Sequence, residues 1–466
     1  MMPRLMPRLM LRFPRSIFAA ALFLGRVPAL TVAVLGVVGF GEAKPEMMKE
    51  MLLPDAVGVK TLQNTPWEAL PGDRDSEAEA IVKRYLETLK SQGLDPREQG
   101  VWIQSGASML VNHQGTTPLS AASLTKIATS LAALETWGPA HQFDTIVYAT
   151  GPIQNGVLQG NLVIQGNGDP MFVWEEAIAL GNTLNTLGIQ QVAGDLVITG
   201  NFFMNFDFDP VKSGGFLKQA LNSKAWQGEL SEQYAQLKPQ PSKPTVIING
   251  NVRVIENLDL NGSNAKAIIK HQSLPMMHLL KRLNVYSNNI MAESLSRSLG
   301  GPQATAQKAA SAAGVPVQEI SLINGSGLGV ENRIAPHATS QMFSAIARHA
   351  ERNGFTISDL FPISGTDVGT LIDRSIPKHA VVKTGTLNEV CALSGVFPTR
   401  DRGLVWFSVI NYGSQIEGFR KQQDILLQQL QAHWGTPKDR SFSITPTPKV
   451  NTPQSELGAM SRNQVL

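Results

Sequence analysis

The spacing of apolar residues changes twice along the 466-residue chain, and a single repeating layer of helices or strands cannot accommodate both changes. Over residues 77–90, Ala80, Ile81, Tyr85 and Leu86 recur at the spacing of an amphipathic helix, and strand-like Gly100-Val101-Trp102-Ile103 follows. Ser123 opens a second helix in which Ile127, Leu131 and Leu134 repeat at core spacing until Gly138-Pro139 stops it. Residues 145–270 then break into short β-like runs such as Leu162-Val163-Ile164, Leu196-Val197-Ile198 and Val246-Ile247-Ile248, the last closed by Asn249-Gly250. Helical spacing returns after Pro275, followed by strand-like segments at 381–386, 392–397 and 404–411 and a last amphipathic helix over 419–434. The pattern predicts a discontinuous α/β domain, residues 75–145 and 271–435, interrupted by a β-rich insert at 146–270.

Outside these segments the chain reads differently. Arg4, Arg8, Arg12 and Arg15 precede two apolar runs, 16–24 and 27–40, and then Gly41-Glu42-Ala43. That order is expected of an export signal at 1–43 cleaved near Ala43, which places the mature protein in the periplasm or otherwise outside the cytoplasm. The alternative is a retained N-terminal anchor, the one case in which a membrane would be a partner; against it, Arg26 splits the runs and neither reaches the ~18 residues of a span. The end of the chain, 437–466, is rich in Pro, Thr, Ser and Gln and is expected to be disordered.

Charge and cysteine content exclude several functions. Lys and Arg total 40 against 37 Asp and Glu, scattered and without aromatic interleaving, so a nucleic-acid partner is not expected. Cys391 is the single cysteine, so no intrachain disulfide can form and packing alone must hold the fold; its apolar flanks read as core. None of the eight histidines pairs at metal-ligand spacing, and no metal or cofactor is expected.

Three short polar motifs occur in order: Ser123-Leu124-Thr125-Lys126, Ser287-Asn288-Asn289, and Lys383-Thr384-Gly385 followed by Thr386. Chance produces such matches, since Ser375-Ile376-Pro377-Lys378 and Ser461-Arg462-Asn463 also fit. Context separates them. A serine and a lysine three residues apart share a helical face only if the segment is helical, and Pro377 denies that to Ser375. A serine hydroxyl needs a base, and an ordinary charged lysine cannot serve. Bringing Lys126 down by about three pH units takes ~4 kcal/mol, which burial and a like charge can supply. Lys383 is the candidate for that charge, on a strand where Gly385 admits close approach of a substrate backbone.

This set of motifs resembles the penicillin-recognising serine enzymes. Tyr286-Ser287-Asn288-Asn289-Ile290-Met291-Ala292-Glu293 and Asn324-Gly325-Ser326-Gly327-Leu328 narrow the resemblance to the class C low-molecular-mass penicillin-binding proteins, which are D-alanyl-D-alanine carboxypeptidases and endopeptidases. Gly168-Asp169-Pro170, Gly365-Thr366-Asp367, Gly369-Thr370-Leu371 and residues 383–395 extend it to roughly 75–435. It implies a β-lactamase-like transpeptidase fold, an antiparallel sheet flanked by helices with a smaller β-rich insert. It further implies peptidoglycan stem peptides as substrate and β-lactams as covalent inhibitors. By motif, Ser123 would form the acyl-enzyme, Lys126 act as base, Ser287 relay a proton to the leaving group and Asn289 hold the substrate amide. Lys383 and Thr384 would bind the terminal carboxylate, beside Gly385, while the N–H groups of Ser123 and Thr386 form an oxyanion hole.

About 160 residues separate Ser123 from Ser287, fewer than in many relatives, so the insert is expected to be reduced. Three further residues are read as structural: Asp169 in a turn, Glu293 as a hydrogen-bonding residue on the same helix as Ser287, and Ser326 in a tight loop. Two competing functions remain. A β-lactamase would need a water-activating acid that the motifs do not supply, and a non-catalytic peptidoglycan sensor would not need three intact motifs. Carboxypeptidase and endopeptidase substrates both present a D-alanyl-D-amino acid bond, so the motifs alone do not separate them.

Overall fold

The computed structural model describes residues 74–259, 264–438, 444–447 and 455–466; the expected export signal at 1–43 lies outside them. In chain order, α1 (Ser76–Ser91) leads to β1 (Gln99–Ser105) and β2 (Ser108–His113), and a 3-10 turn at Ala122–Leu124 opens α2 (Thr125–Trp137). There follow β3 (Asp144–Ala149), β4 (Leu162–Asn167), α3 (Trp174–Thr186), β5 (Leu196–Asn201), α4 (Pro210–Leu221), β6 (Val252–Val254) and β7 (Lys266–Gln272). Helices α5 (Met276–Tyr286), α6 (Asn289–Ser298), α7 (Pro302–Ala313) and α8 (Pro336–Arg352) precede β8 (Val381–Leu387), β9 (Val390–Thr399), β10 (Gly403–Tyr412), α9 (Ile416–Trp434) and β11 (Asn463–Val465).

The first sheet joins the two ends of the discontinuous region. Its order is β8-β9-β10-β1-β2, antiparallel throughout. Helices cover both faces, so the central strands carry nearly unbroken apolar runs, and every residue of β9 is buried. On one face Val381, Ala392, Val396 and Ile410 pack with residues of α2, α7 and α8, such as Ile127, Ala309 and Phe343. On the other, Val382, Leu393 and Phe407 pack with Ile81 and Tyr85 of α1 and with Phe419 and Leu427 of α9. The N-terminus of α1 is set by Asp75, whose side chain accepts from the Ala78 N–H at 3.1 Å, with Glu77 and Glu79 in the first turn. Strand β8 lies at the sheet margin, its outer edge bridged to Ile363 at Val381 and without a strand neighbour in the sheet beyond that.

The second sheet, β6-β5-β4-β3-β7-β11, is mixed. Strands β4, β5 and β6 run parallel, with α3 between the first two and α4 between the last two, as parallel neighbours require crossover connections. Phe172, Ile178, Leu217 and Leu221 close over Ile164, Ile198 and Ile269 as a separate core. The segment is therefore an α/β layer, richer in helix than the expected β-rich insert. The physical reason is that α3 is buried from Trp174 through Leu184, so it shows no polar stripe, and that α4 carries Gly214-Gly215 in its middle. Gly214 is there because a Cβ would lie 2.4 Å from Val252 Cγ1 on β6. All described residues belong to one compact unit.

The tail departs from its expected disorder. Residues 463–465 form β11, antiparallel to β7 with His271 opposite Asn463 and Ile269 opposite Val465. Arg462, just before it, is buried in an ion pair with the buried Glu176 of α3. Composition predicts whether a segment can fold by itself; here three residues are ordered by pairing with a sheet edge distant in sequence.

Candidate active site

Helix α2 runs through the first core and is buried from Thr125 to Leu134, which brings Lys126 inside with it. Ser123 precedes it in the 3-10 turn, where Ala122 takes the left-handed conformation with φ 47°, uncommon for a residue with a Cβ. The three-residue spacing then works as the sequence suggests: Lys126 Nζ donates to Ser123 Oγ at 2.9 Å. It also donates to Asn289 Oδ1 at 2.7 Å and to the Ser326 carbonyl at 2.6 Å. The side chain is 0% exposed, and burial holds its pKa well below the usual lysine value. The charge of Lys383 adds to that depression and the charge of Glu293 opposes it.

A second serine–lysine pair stands near the first. Lys383 Nζ, also fully buried, donates to Ser287 Oγ at 2.9 Å and to the Thr384 carbonyl at 2.8 Å. Burial pushes its pKa down to about 7. Ser287 is the left-handed C-cap of α5, with φ 52°, and the next residue starts a new helix: Asn288 caps α6 by accepting from the Met291 N–H at 3.0 Å. The chain break lets consecutive motif residues face different ways, Ser287 toward Lys383 and Asn289 toward Lys126. Glu293 is thus on α6, not on one helix with Ser287 as the sequence reading had it.

Two glycines allow these parts to meet. A Cβ on Gly385 would lie 2.8 Å from the Ala121 carbonyl and 3.1 Å from Ser123 N, so only glycine lets β8 reach the Ser123 turn. Gly327, at φ 87°, would place a Cβ 1.9 Å from the Ala122 carbonyl. Thr384 is buried beside Lys383, whereas Thr386 is exposed at the end of β8. There the sequence reading missed a neighbour: Arg420 of α9 donates to Thr386 Oγ1 at 3.4 Å and pairs with Glu417 at 2.7 Å. No motif marks it, since a helix and a strand meet here only through the fold.

The other matches lie elsewhere. Ser375 N–H donates to Asp424 Oδ2 at 2.7 Å, in a segment that is not helical. Ser461 sits in the 3-10 turn leading to β11. Cys391 is 1% exposed, and burial pushes its thiol up to about 11, which describes a core cysteine. Asp169 accepts from the Met171 N–H at 2.8 Å, as a turn residue does, and burial raises it to about 7. Among the described residues no group of three His, Cys, Asp or Glu is arranged to hold a metal ion. What the site can do is acyl transfer: a hydroxyl beside a depressed amine, a second hydroxyl beside a second amine, and main-chain donors at a strand edge.

Known proteins agree with this chemistry. The profile of the D-Ala-D-Ala carboxypeptidase 3 (S13) family matches residues 85–210 and 236–432. The D-alanyl-D-alanine carboxypeptidase DacB of Haemophilus influenzae is 24% identical, over 63% of this chain and 80% of the relative. A D-alanyl-D-alanine carboxypeptidase of Actinomadura sp. is also 24% identical, over 74% of this chain and 84% of its own. In three dimensions the fold is that of a penicillin G acylated predatory endopeptidase from Bdellovibrio bacteriovorus, with a TM-score of 0.66, 20% identity, and coverage of 79% of this chain and 99% of the other.

Proposed function

Because this chain belongs to the D-Ala-D-Ala carboxypeptidase 3 (S13) family, we propose that it hydrolyses D-alanyl-D-alanine bonds of peptidoglycan stem peptides through an acyl-enzyme on Ser123. It is a serine-type carboxypeptidase of the penicillin-binding class. The observation that carries the assignment of roles is the buried Lys126 amine 2.9 Å from Ser123 Oγ, with a second lysine near enough to repel its proton.

Ser123 Oγ attacks the carbonyl carbon of the penultimate D-alanine while Lys126 Nζ takes the hydroxyl proton. The N–H groups of Ser123 and Thr386 receive the oxyanion. When the peptide C–N bond breaks, Ser287 passes a proton to the departing amine and is resupplied across the bond to Lys383. Asn289, whose Oδ1 is taken up by Lys126, keeps its NH2 for a substrate carbonyl. Lys383 and Thr384, with Gly385 beside them, receive the terminal carboxylate. Once Lys126 has given up its proton and Lys383 has regained one through solvent, water attacks the ester; Lys126 takes a proton from the water and returns it to Ser123 Oγ, releasing the shortened peptide and restoring the hydroxyl. We read residues 146–270 as an insertion into the unit made by 75–145 and 271–435, and residues 1–43 as the signal that takes the chain to its wall substrate outside the cytoplasmic membrane.

Penicillins offer the same carbonyl in a strained ring, so the protein is expected to be acylated by them. A β-lactamase would also need a water-activating acid, which the three motifs do not supply. The test is labelled penicillin. A stable adduct is expected, absent in Ser123→Ala; label persisting in that variant would remove Ser123 as nucleophile, and rapid turnover of the drug would favour a β-lactamase. Incubation with cross-linked and uncross-linked muropeptides then separates endopeptidase from carboxypeptidase preference.

A further inference from the structure

Glu293 and Ser326 take no step in this mechanism, yet the fold joins them to each other and to Lys126. Glu293 stands one turn after Asn289 on α6, and its carboxylate accepts from the Ser326 N–H at 3.0 Å and the Gly325 N–H at 3.3 Å. The carbonyls of the same two residues face α2. Gly325 accepts from Thr129 Oγ1 at 2.7 Å, and Ser326 accepts from Lys126 Nζ at 2.6 Å. The peptide group joining Gly325 to Ser326 therefore spans the space between Glu293 and α2, its N–H on the acid and its C=O on Thr129, while the carbonyl that Lys126 meets belongs to the next peptide group, whose Gly327 N–H donates to Asn324 Oδ1 at 2.8 Å.

The segment is held in that place from both sides. A Cβ on Gly325 would lie 2.4 Å from Ser296 Cβ on α6, and one on Gly327 would lie 1.9 Å from the Ala122 carbonyl beside Ser123. Charge on Glu293 strengthens its bonds to the two N–H groups and so fixes the segment whose Ser326 carbonyl accepts from Lys126. Lys126 is faced by Ser123 from its own turn, Asn289 and Glu293 from α6, Ser326 from the loop and Lys383 from β8; Glu293 and Lys383 carry the charges.

We propose that Glu293 is a positioning residue of this site, which anchors the Gly325-Ser326 segment that presents the Ser326 carbonyl to Lys126 and offsets the charge of Lys383. The inference rests on Lys126 being the base of Ser123. Burial and Lys383 both drive the proton off Lys126; Glu293 keeps the ammonium form within reach, so that the proton taken from Ser123 has somewhere to stay, and fixes Nζ against the hydroxyl through the Ser326 carbonyl.

The pH dependence of acylation by labelled penicillin tests this in the full-length protein. Acylation needs neutral Lys126, so its acid limb follows that group. Glu293→Gln removes a negative charge and is expected to move the limb about one pH unit lower, with a reduced plateau rate. Glu293→Asp, whose carboxylate is one methylene farther back, should move the limb in the same direction by less, and carries the test should the Gln variant not fold. Thr129→Val releases the Gly325 carbonyl without changing charge; it should alter the plateau and leave the limb alone. A limb unmoved in both Glu293 variants, or moved as far by Thr129→Val, overturns the inference while leaving Ser123 as nucleophile. A wild-type protein that takes no label overturns the proposed function and this inference with it.

Discussion

Lys383 is a buried cation whose energetic consequence can be read directly. Its pKa of about 7 in the fold, against 10.5 as its ordinary value, means that the unfolded chain binds the extra proton between those pH values. Stability therefore rises as pH climbs from 7 to 10.5, and below 7 the full cost of burying the charge, about 5 kcal/mol, is present. Lys383→Met is expected to stabilise the protein at pH 6.5 by about 2–4 kcal/mol, the remainder being offset by the Ser287 hydroxyl left without its donor. Thermal melts at pH 6.5 and 9.5 check this, since the gain should shrink at the higher pH. The same variant should acylate slowly, with the acid limb displaced upward because Lys126 has lost the charge that repels its proton. A destabilised variant at pH 6.5 would show that Lys383 is held by contacts stronger than its desolvation. At this scale the sequence was most legible where residues are local: Ser123 and Lys126 share a face because they are three apart. It was least legible for Glu293 and Ser326, whose contact depends on a loop being clamped between two helices.

Elements meet at this site through positions that have no side chain. Gly327→Ala is expected to cost about 2–4 kcal/mol and to abolish labelling of Ser123, because the added methyl collides with main chain at Ala122 and the residue sits at φ 87°. Gly215→Ala in α4 is the contrasting case. Nothing lies within 4 Å of the added Cβ, so the change should stabilise by about 0.5–1 kcal/mol through helix propensity. Denaturant melts with labelling at Ser123 distinguish the two; a tolerated Gly327→Ala would mean that the loop can retreat from Ser123 without harm. The amphipathic α1 and α9 were readable because each has a period to display, and the strands of the first sheet because they are short apolar runs rich in β-branched residues and bounded by turns. Helix α3 was not, since an element buried on all sides carries no polar stripe.

For the whole molecule, the chain end is a structural component. Arg462 is 2% exposed against Glu176 in the second core, and β11 extends the sheet beside it. Arg462→Met leaves the Glu176 carboxylate buried without its partner and is expected to cost about 3–5 kcal/mol. The loss should lessen toward acid pH as Glu176, already raised by burial, takes up a proton. Melts at pH 5 and 8 measure this, and labelling of Ser123 at 25 °C should persist because the ion pair lies in the other core; a melt unchanged at pH 8 would make the tail a passive strand. The sequence by itself determined the residues of the three motifs, the helical setting of the first and the strand setting of the third, because those follow from spacing over a few residues. Only the tertiary structure decided that Lys383 stands close enough to act on Lys126, that Glu293 anchors the loop whose Ser326 carbonyl Lys126 meets, that Arg420 meets Thr386, and that the tail closes a sheet. Each of these joins positions far apart in the chain, and such distances are set by packing, which no local period records.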